Sequence, residues 1–170
     1  LRVWGRGLPD LERLRGKTID LASILNGACV CLANDAFFGP KDNLILPGRA
    51  KNMGDGWETR RKRRPGHDWV VVRLAGPGRL ERLEIDTNHF KGNYPDSASL
   101  EGCLAGRELL DPAEAEAQRW TQTLAQTKLR PHHRHFFSAE LAARGPFDHL
   151  RLRIYPDGGI SRLRAHGTLV

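Results

Sequence analysis

The sequence predicts an all-β fold, a β-sandwich of jelly-roll type in which two antiparallel sheets pack together with one minor helix. Three observations carry that expectation. Val70, Val72 and Leu74 share one face of a strand while Trp69 and Val71 occupy the other, so both faces of that strand are apolar. Residues 97–105 alternate cleanly, with Ala98, Leu100, Gly102 and Leu104 set against Ser99, Glu101 and Cys103. Finally, the strand-like segments are short and bounded by turn residues. No long amphipathic helix separates them, which disfavours a parallel α/β fold.

Taken in order, residues 8–24 are polar and read as a linker or loose helical turn. The pattern is β from about residue 25. After the strand around residues 69–74, one turn leads to a second strand at 80–86, with Leu83 and Ile85 inward and Arg82 and Glu84 outward. Asp111-Pro112 with Glu114 is a helix start, a cap followed by proline and a returning carboxylate, and the helix reaches about Gln118. Residues 121–128 and 135–141 are further strands. Leu150, Leu152 and Ile154 alternate with Arg151 and Arg153, and Pro156-Asp157-Gly158-Gly159 reads as a hairpin turn into a last strand at 160–165. Residues 1–7, LRVWGRG, echo residues 163–167, LRAHG. They read as the tail strand of a preceding repeat, with 8–24 as linker and 25–170 as the domain.

The 170 residues are enough for one domain with a real core, and 39% hydrophobic with 28% charged residues is a globular composition. No apolar run is long enough to span a bilayer, and LRVWGRGLPD lacks the apolar core of a signal peptide. A cytoplasmic location is therefore expected. Cys29, Cys31 and Cys103 are odd in number and lack metal spacing, so reduced thiols in or near strands are expected. The net charge of +7 is mostly arginine, with six lysines among 27 basic residues. The run Arg60-Arg61-Lys62-Arg63-Arg64 raises nucleic acid as a partner. The other arginines are scattered and no recognition-helix or zinc-finger pattern is present, so neither nucleic acid nor membrane is expected.

Chemistry concentrates in two stretches. In Asp55-Gly56-Trp57-Glu58 the turn explains Gly56, and core packing accounts for Trp57. Glu58, Arg60 and Arg61 then crowd the entry to a strand. In the second stretch, Asp86 to Asn93 (DTNHFKGN), a strand end and turn account for Phe90, Gly92 and Asn93 but not for Asp86, His89 and Lys91. A carboxylate, an imidazole and an ammonium close together can move protons and hold an anion. On an extended strand Asp86 and His89 point to opposite faces, so a shared site requires a bulge or turn at Asn88. His67-Asp68 reads as the exposed polar tip of a turn. His132, His133 and His135 read as a basic loop, not a metal site, because so close a run cannot face one ion unless it folds back.

These stretches resemble the allantoicase family, in particular the second of its two internal repeats. The similarity runs through NDAFFGPKDNLILPGR (34–49), MGDGWET (53–59), GHDW (66–69), Ile85-Asp86-Thr87, HFKGN (89–93), RHFF (134–137) and IYPDGGISRLR (154–164), covering residues 20–167. The resemblance implies a galactose-binding-like jelly roll and hydrolysis of allantoate to ureidoglycolate and urea. It also implies a partner repeat, hence association with that missing first repeat or self-association. Allantoate carries a carboxylate and two ureido groups on one carbon. Residue chemistry then nominates Glu58, Asp86 and His89 as acid/base groups and Arg60 and Lys91 as anion anchors. Asn93 would read ureido N–H groups, with Trp57 also counted as substrate-binding. No cofactor is demanded by the sequence, which leaves room for a divalent metal. The alternative is a non-catalytic jelly-roll module that binds a small polar ligand or carbohydrate.

Overall fold

The computed structural model describes residues 9–170, so the strand expected at residues 1–7 lies outside the described residues. Ten strands and one α-helix follow in order: β1 (Ile19–Asp20), β2 (Cys29–Ala33), β3 (Trp57–Glu58), β4 (Asp68–Asp86), β5 (Ser97–Cys103), α1 (Pro112–Ala117), β6 (Thr121–Lys128), β7 (Arg134–Phe137), β8 (Phe147–Tyr155), β9 (Gly159–Ile160) and β10 (Arg162–Leu169). Every pairing is antiparallel.

The architecture turns on β4. Its first half pairs with β2 and β8, and β8 continues through β5 to β6. Its second half pairs with β10 and β7, and β10 carries β1. These are the two expected sheets, joined where β4 passes from one to the other. At the crossing lies Gly76-Pro77-Gly78, where the register with β8 jumps between Arg73 and Gly78. Proline donates no ladder hydrogen bond and glycine packs no side chain, so a strand bends there at little cost. The tripeptide is thus a bend within one 19-residue strand, not a turn between two.

Apolar residues of both layers meet in one core: Val70, Val72, Leu100, Leu150, Leu152 and Ile154 from the first, Leu83, Ile85, Leu163, Ala165 and Phe137 from the second. The alternation read from the sequence supplies nearly all of them.

Three expectations are corrected. The 156–159 segment is no hairpin, because β8 pairs with the first half of β4, β9 with β3, and β10 with the second half of β4. It crosses between layers. The stretch expected as linker, 8–24, holds β1 paired to β10 and places Leu21 fully in the core. The strand expected over 135–141 is Arg134–Phe137. The helix keeps its predicted cap, with the Asp111 carboxylate accepting from the Ala113 N–H at 2.7 Å. Among the described residues no helix is long and apolar enough to cross a membrane.

Candidate functional site

Glu58 and Asn93 reach one place because both are tied to Gly159. Glu58 stands opposite Gly159 in the β3–β9 pair, and the Gly159 N–H donates to the Asn93 carbonyl at 2.8 Å. Thr59 and Gly158 bond each other next door, N–H to O at 3.1 Å. Strand alternation buries Trp57 and turns Glu58 outward. The Asn93 side-chain amide donates to the Glu58 carboxylate. Around this pair opens a cleft of about 570 Å³, lined also by Phe38, Arg61, Lys62, Tyr94 and Asp157.

The cleft's cations are held differently. Arg61 is exposed. The Lys62 ammonium meets the buried Asp68 carboxylate at 2.6 Å, and Asn34 donates to the same Asp68 oxygen at 2.8 Å. The other Asp68 oxygen has no hydrogen-bond partner among the described residues. Asp68 is therefore fully buried behind the cleft wall, which corrects its reading as an exposed turn tip. At the rim the Asp96 carboxyl is held below the usual range by the Lys128 ammonium at 2.6 Å.

Asp86 lies elsewhere. It is completely buried on the outer side of the second layer, in a depression of about 330 Å³ lined by Arg49, Arg82, Arg134, Arg162 and Arg164. Its two oxygens accept from Arg49 Nε at 3.0 Å and Nη2 at 3.3 Å, and one also accepts the Asn88 N–H at 2.9 Å. Neighbouring Glu84 takes a two-pronged bond from Arg134 at 2.7 and 2.9 Å, which raises the Arg134 pKa further. Arg162 donates to the Gly48 and Asp55 carbonyls and to the Asp55 carboxylate. The depression is a web of ion pairs that straps residues 46–55 onto the sheet.

The remaining nominated residues divide. The required turn exists: β4 ends at Asp86, and the Phe90 N–H bonds the Thr87 carbonyl at 3.0 Å with His89 at φ 71°. His89 donates from Nε2 to the Ala50 carbonyl at 3.0 Å, and its backbone N–H goes to His132 Nδ1 at 2.8 Å. Lys91 is exposed beyond the turn. Arg60 stacks over Phe37 at 4.3 Å, and its N–H donates to Asp35. Trp57 is fully buried, its indole N–H on the Asp35 carbonyl at 2.8 Å, so it packs the core and does not line the Glu58 cleft. Of the nominated set, the fold brings Glu58 and Asn93 together and parts them from Asp86. Residue chemistry missed Lys62 and Arg49; Lys62 stood inside the basic run, and nothing in the sequence pointed to Arg49.

Fold and cleft together define a jelly-roll domain with a polar cleft beside the β3–β9 pair. Solved structures agree: the chain superposes on a family 32 carbohydrate-binding module from Streptococcus pneumoniae EndoD with a TM-score of 0.59 at 12% identity, covering 88% of this chain and 100% of that one. At such identity the likeness concerns the fold alone. The chain belongs to the allantoicase repeat family, whose model matches residues 19–170. It is 48% identical over 170 residues to the probable allantoicase 2 of Burkholderia pseudomallei, covering 99% of this chain and 51% of that protein. With the allantoicase of Dictyostelium discoideum it shares 46% identity over 171 residues, 99% and 46% of the two chains. The crystal structure of allantoicase from Saccharomyces cerevisiae superposes with a TM-score of 0.77 at 36% identity, covering 96% of this chain and 45% of that one. The chain thus spans about half the length of the curated relatives it matches.

Proposed function

We propose that this chain supplies one repeat of a cytoplasmic hydrolase of purine breakdown that converts allantoate and water to ureidoglycolate and urea. The observation that carries the reading is the 46–48% identity, along the whole chain, to proteins named allantoicase or probable allantoicase. The cleft suits the substrate's chemistry. Glu58 is the acid/base group: its carboxylate takes a proton from the attacking water, whose hydroxyl goes to the central carbon, and passes that proton to the departing urea nitrogen as the C–N bond breaks. Asn93, held against Glu58, reads the ureido group through its amide. Arg61 and Lys62 attract the substrate carboxylate, Arg61 with a guanidinium fork suited to two oxygens. Asp86 and His89 act as positioning residues through the strap at residues 49–50. Because the relatives are about twice as long, the reaction is proposed for the repeat associated with a second one.

Urea release from allantoate tests this, with the chain alone and with the chain joined to a first repeat. The joined protein is expected to release urea and the lone chain little or none. No release by the joined protein would refute the reading. Allantoate binding without turnover would favour a ligand-binding module instead.

A further inference from the structure

A pair of sulfurs lies on the outer face of the first layer, outside both the Glu58 cleft and the Asp86 depression. Residues two apart on a strand share a face, and with Val30 buried in the core Cys29 and Cys31 of β2 both point outward. Their Sγ atoms are 3.9 Å apart, and both thiols are reduced and partly exposed. The ladder loosens at this point. Cys29 pairs with Arg73 and Val30 with Val72, but Leu32 already faces Val71, so Cys31 is the extra residue of a β-bulge. Among the described residues β2 pairs with β4 alone, so no further strand grips its outer edge. The same register brings Arg73 to Cys29, and the Arg73 Nε–H donates to Cys29 Sγ at 3.3 Å. That guanidinium is shared with Glu108, whose carboxylate lies 3.4 Å from the same nitrogen.

A guanidinium bonded to a sulfur favours the thiolate, the form that reacts, and disfavours a metal ion there. Cys31 is the proton-bearing partner. Its thiol donates to Cys29 Sγ, and that bond above all, then burial, pushes the Cys31 thiol well above the usual thiol range. We propose that Cys29 and Cys31 form a peroxide-reactive dithiol in which Cys29 attacks and Cys31 resolves. The Cys29 thiolate attacks one oxygen of a hydroperoxide. The S–O bond forms, the O–O bond breaks, and the departing oxygen takes a proton from water to leave as an alcohol or as water. The Cys31 sulfur then attacks the sulfenic acid on Cys29. The S–S bond forms, the S–O bond breaks, and the Cys31 proton leaves with the hydroxyl as water. The two sulfurs together supply the two electrons that reduce the peroxide. Closure brings the sulfurs from 3.9 Å to about 2.05 Å, an approach the unpaired bulge residue can follow. A ring that spans a single intervening residue is strained, so the disulfide is readily reduced and the modification is reversible.

Hydrogen peroxide added to the reduced chain tests the pair. Peptide mapping should find a Cys29–Cys31 disulfide, a mass loss of about 2 Da that dithiothreitol reverses. Cys103 is buried and its thiol is pushed up to about 12, chiefly by burial, so it should remain open to alkylation once the chain is unfolded. Cys31→Ser should stop at a Cys29 sulfenic acid that dimedone captures. Arg73→Gln should slow the reaction about 3–10-fold and move the pH profile of Cys29 alkylation upward. Four results would each overturn the proposal: Cys29 consumed no faster than Cys103, oxidation to sulfinic acid without a disulfide, a disulfide linking two chains, or an Arg73→Gln variant as fast as the unmodified chain. Should Arg73→Gln not fold, the pH profile of Cys29 alkylation in the unmodified chain decides. A midpoint at or above the ordinary thiol value of about 8.5 refutes the thiolate and with it the pair.

Discussion

Asp86 and Arg49 form a two-pronged ion pair in which the carboxylate is fully buried and the guanidinium half exposed. A third donor, the Asn88 N–H, shares the same carboxylate. Replacing Asp86 by asparagine keeps the shape but removes the charge that Arg49 answers. Charge-assisted hydrogen bonds contribute about 1.5–3 kcal/mol, so Asp86→Asn should destabilise by about that amount. Urea denaturation of the variant checks this; a midpoint equal to that of the unmodified chain would return Asp86 to the list of acid/base candidates.

Glu58→Gln has the opposite profile. The Gln carbonyl can still accept from Asn93, so folding should be undisturbed. Loss of a general acid/base costs about 10²–10⁴-fold in rate, and the urea-releasing protein should lose at least 100-fold in kcat with little change in KM. An undiminished kcat would remove Glu58 from the mechanism.

His135 predicts a pH dependence. Its Nε2 accepts the Arg130 N–H at 2.8 Å and its Nδ1 donates to the Ile85 carbonyl at 3.0 Å, so the ring must be neutral. Burial, with lesser contributions from His133 and Arg130, lowers its pKa below the ordinary histidine value. A depressed value means the unfolded chain binds the proton more readily. The stabilisation is therefore complete above about pH 6.5 and is lost as pH falls through the folded-state value. His135→Gln should be less stable than the unmodified chain at pH 7.5, with the gap narrowing toward pH 5. A gap independent of pH would contradict this.

Gly159 admits no side chain. A Cβ there would lie 1.9 Å from Cε1 of the fully buried Phe90. Gly159→Ala must displace Phe90 or β9, and overpacking of this kind costs about 1–3 kcal/mol. Since Gly159 tethers both Glu58 and Asn93, urea release should fall along with the denaturation midpoint. Retained stability and activity together would show that the ring moves freely aside.

The sandwich was legible because alternation reports burial directly: Leu150, Leu152 and Ile154 all face the core as their spacing implied. What periodicity could not report was partnership across layers. The 80–86 run reads the same whether Gly76-Pro77-Gly78 turns back or carries on, and only pairing with β8 and β10 distinguishes the two. The site shows the same boundary. Residue types in DTNHFKGN suggested one constellation, but a turn centred on Asn88 and His89 sends Asp86 to Arg49 and Asn93 to Glu58.

Strand β4 belongs to both layers at once, and that shared membership governs how the molecule comes apart. Neither layer owns a complete set of strands, so neither can be shed while the other persists; detaching β10 strips one end of the same backbone that β8 grips at the other. Amide exchange should therefore report a single cooperative opening, with protons along 70–74 and 82–86 released at one common free energy. A substitution at either end of the domain would then be felt at the opposite one, and a partner that clamps one layer would slow exchange in both.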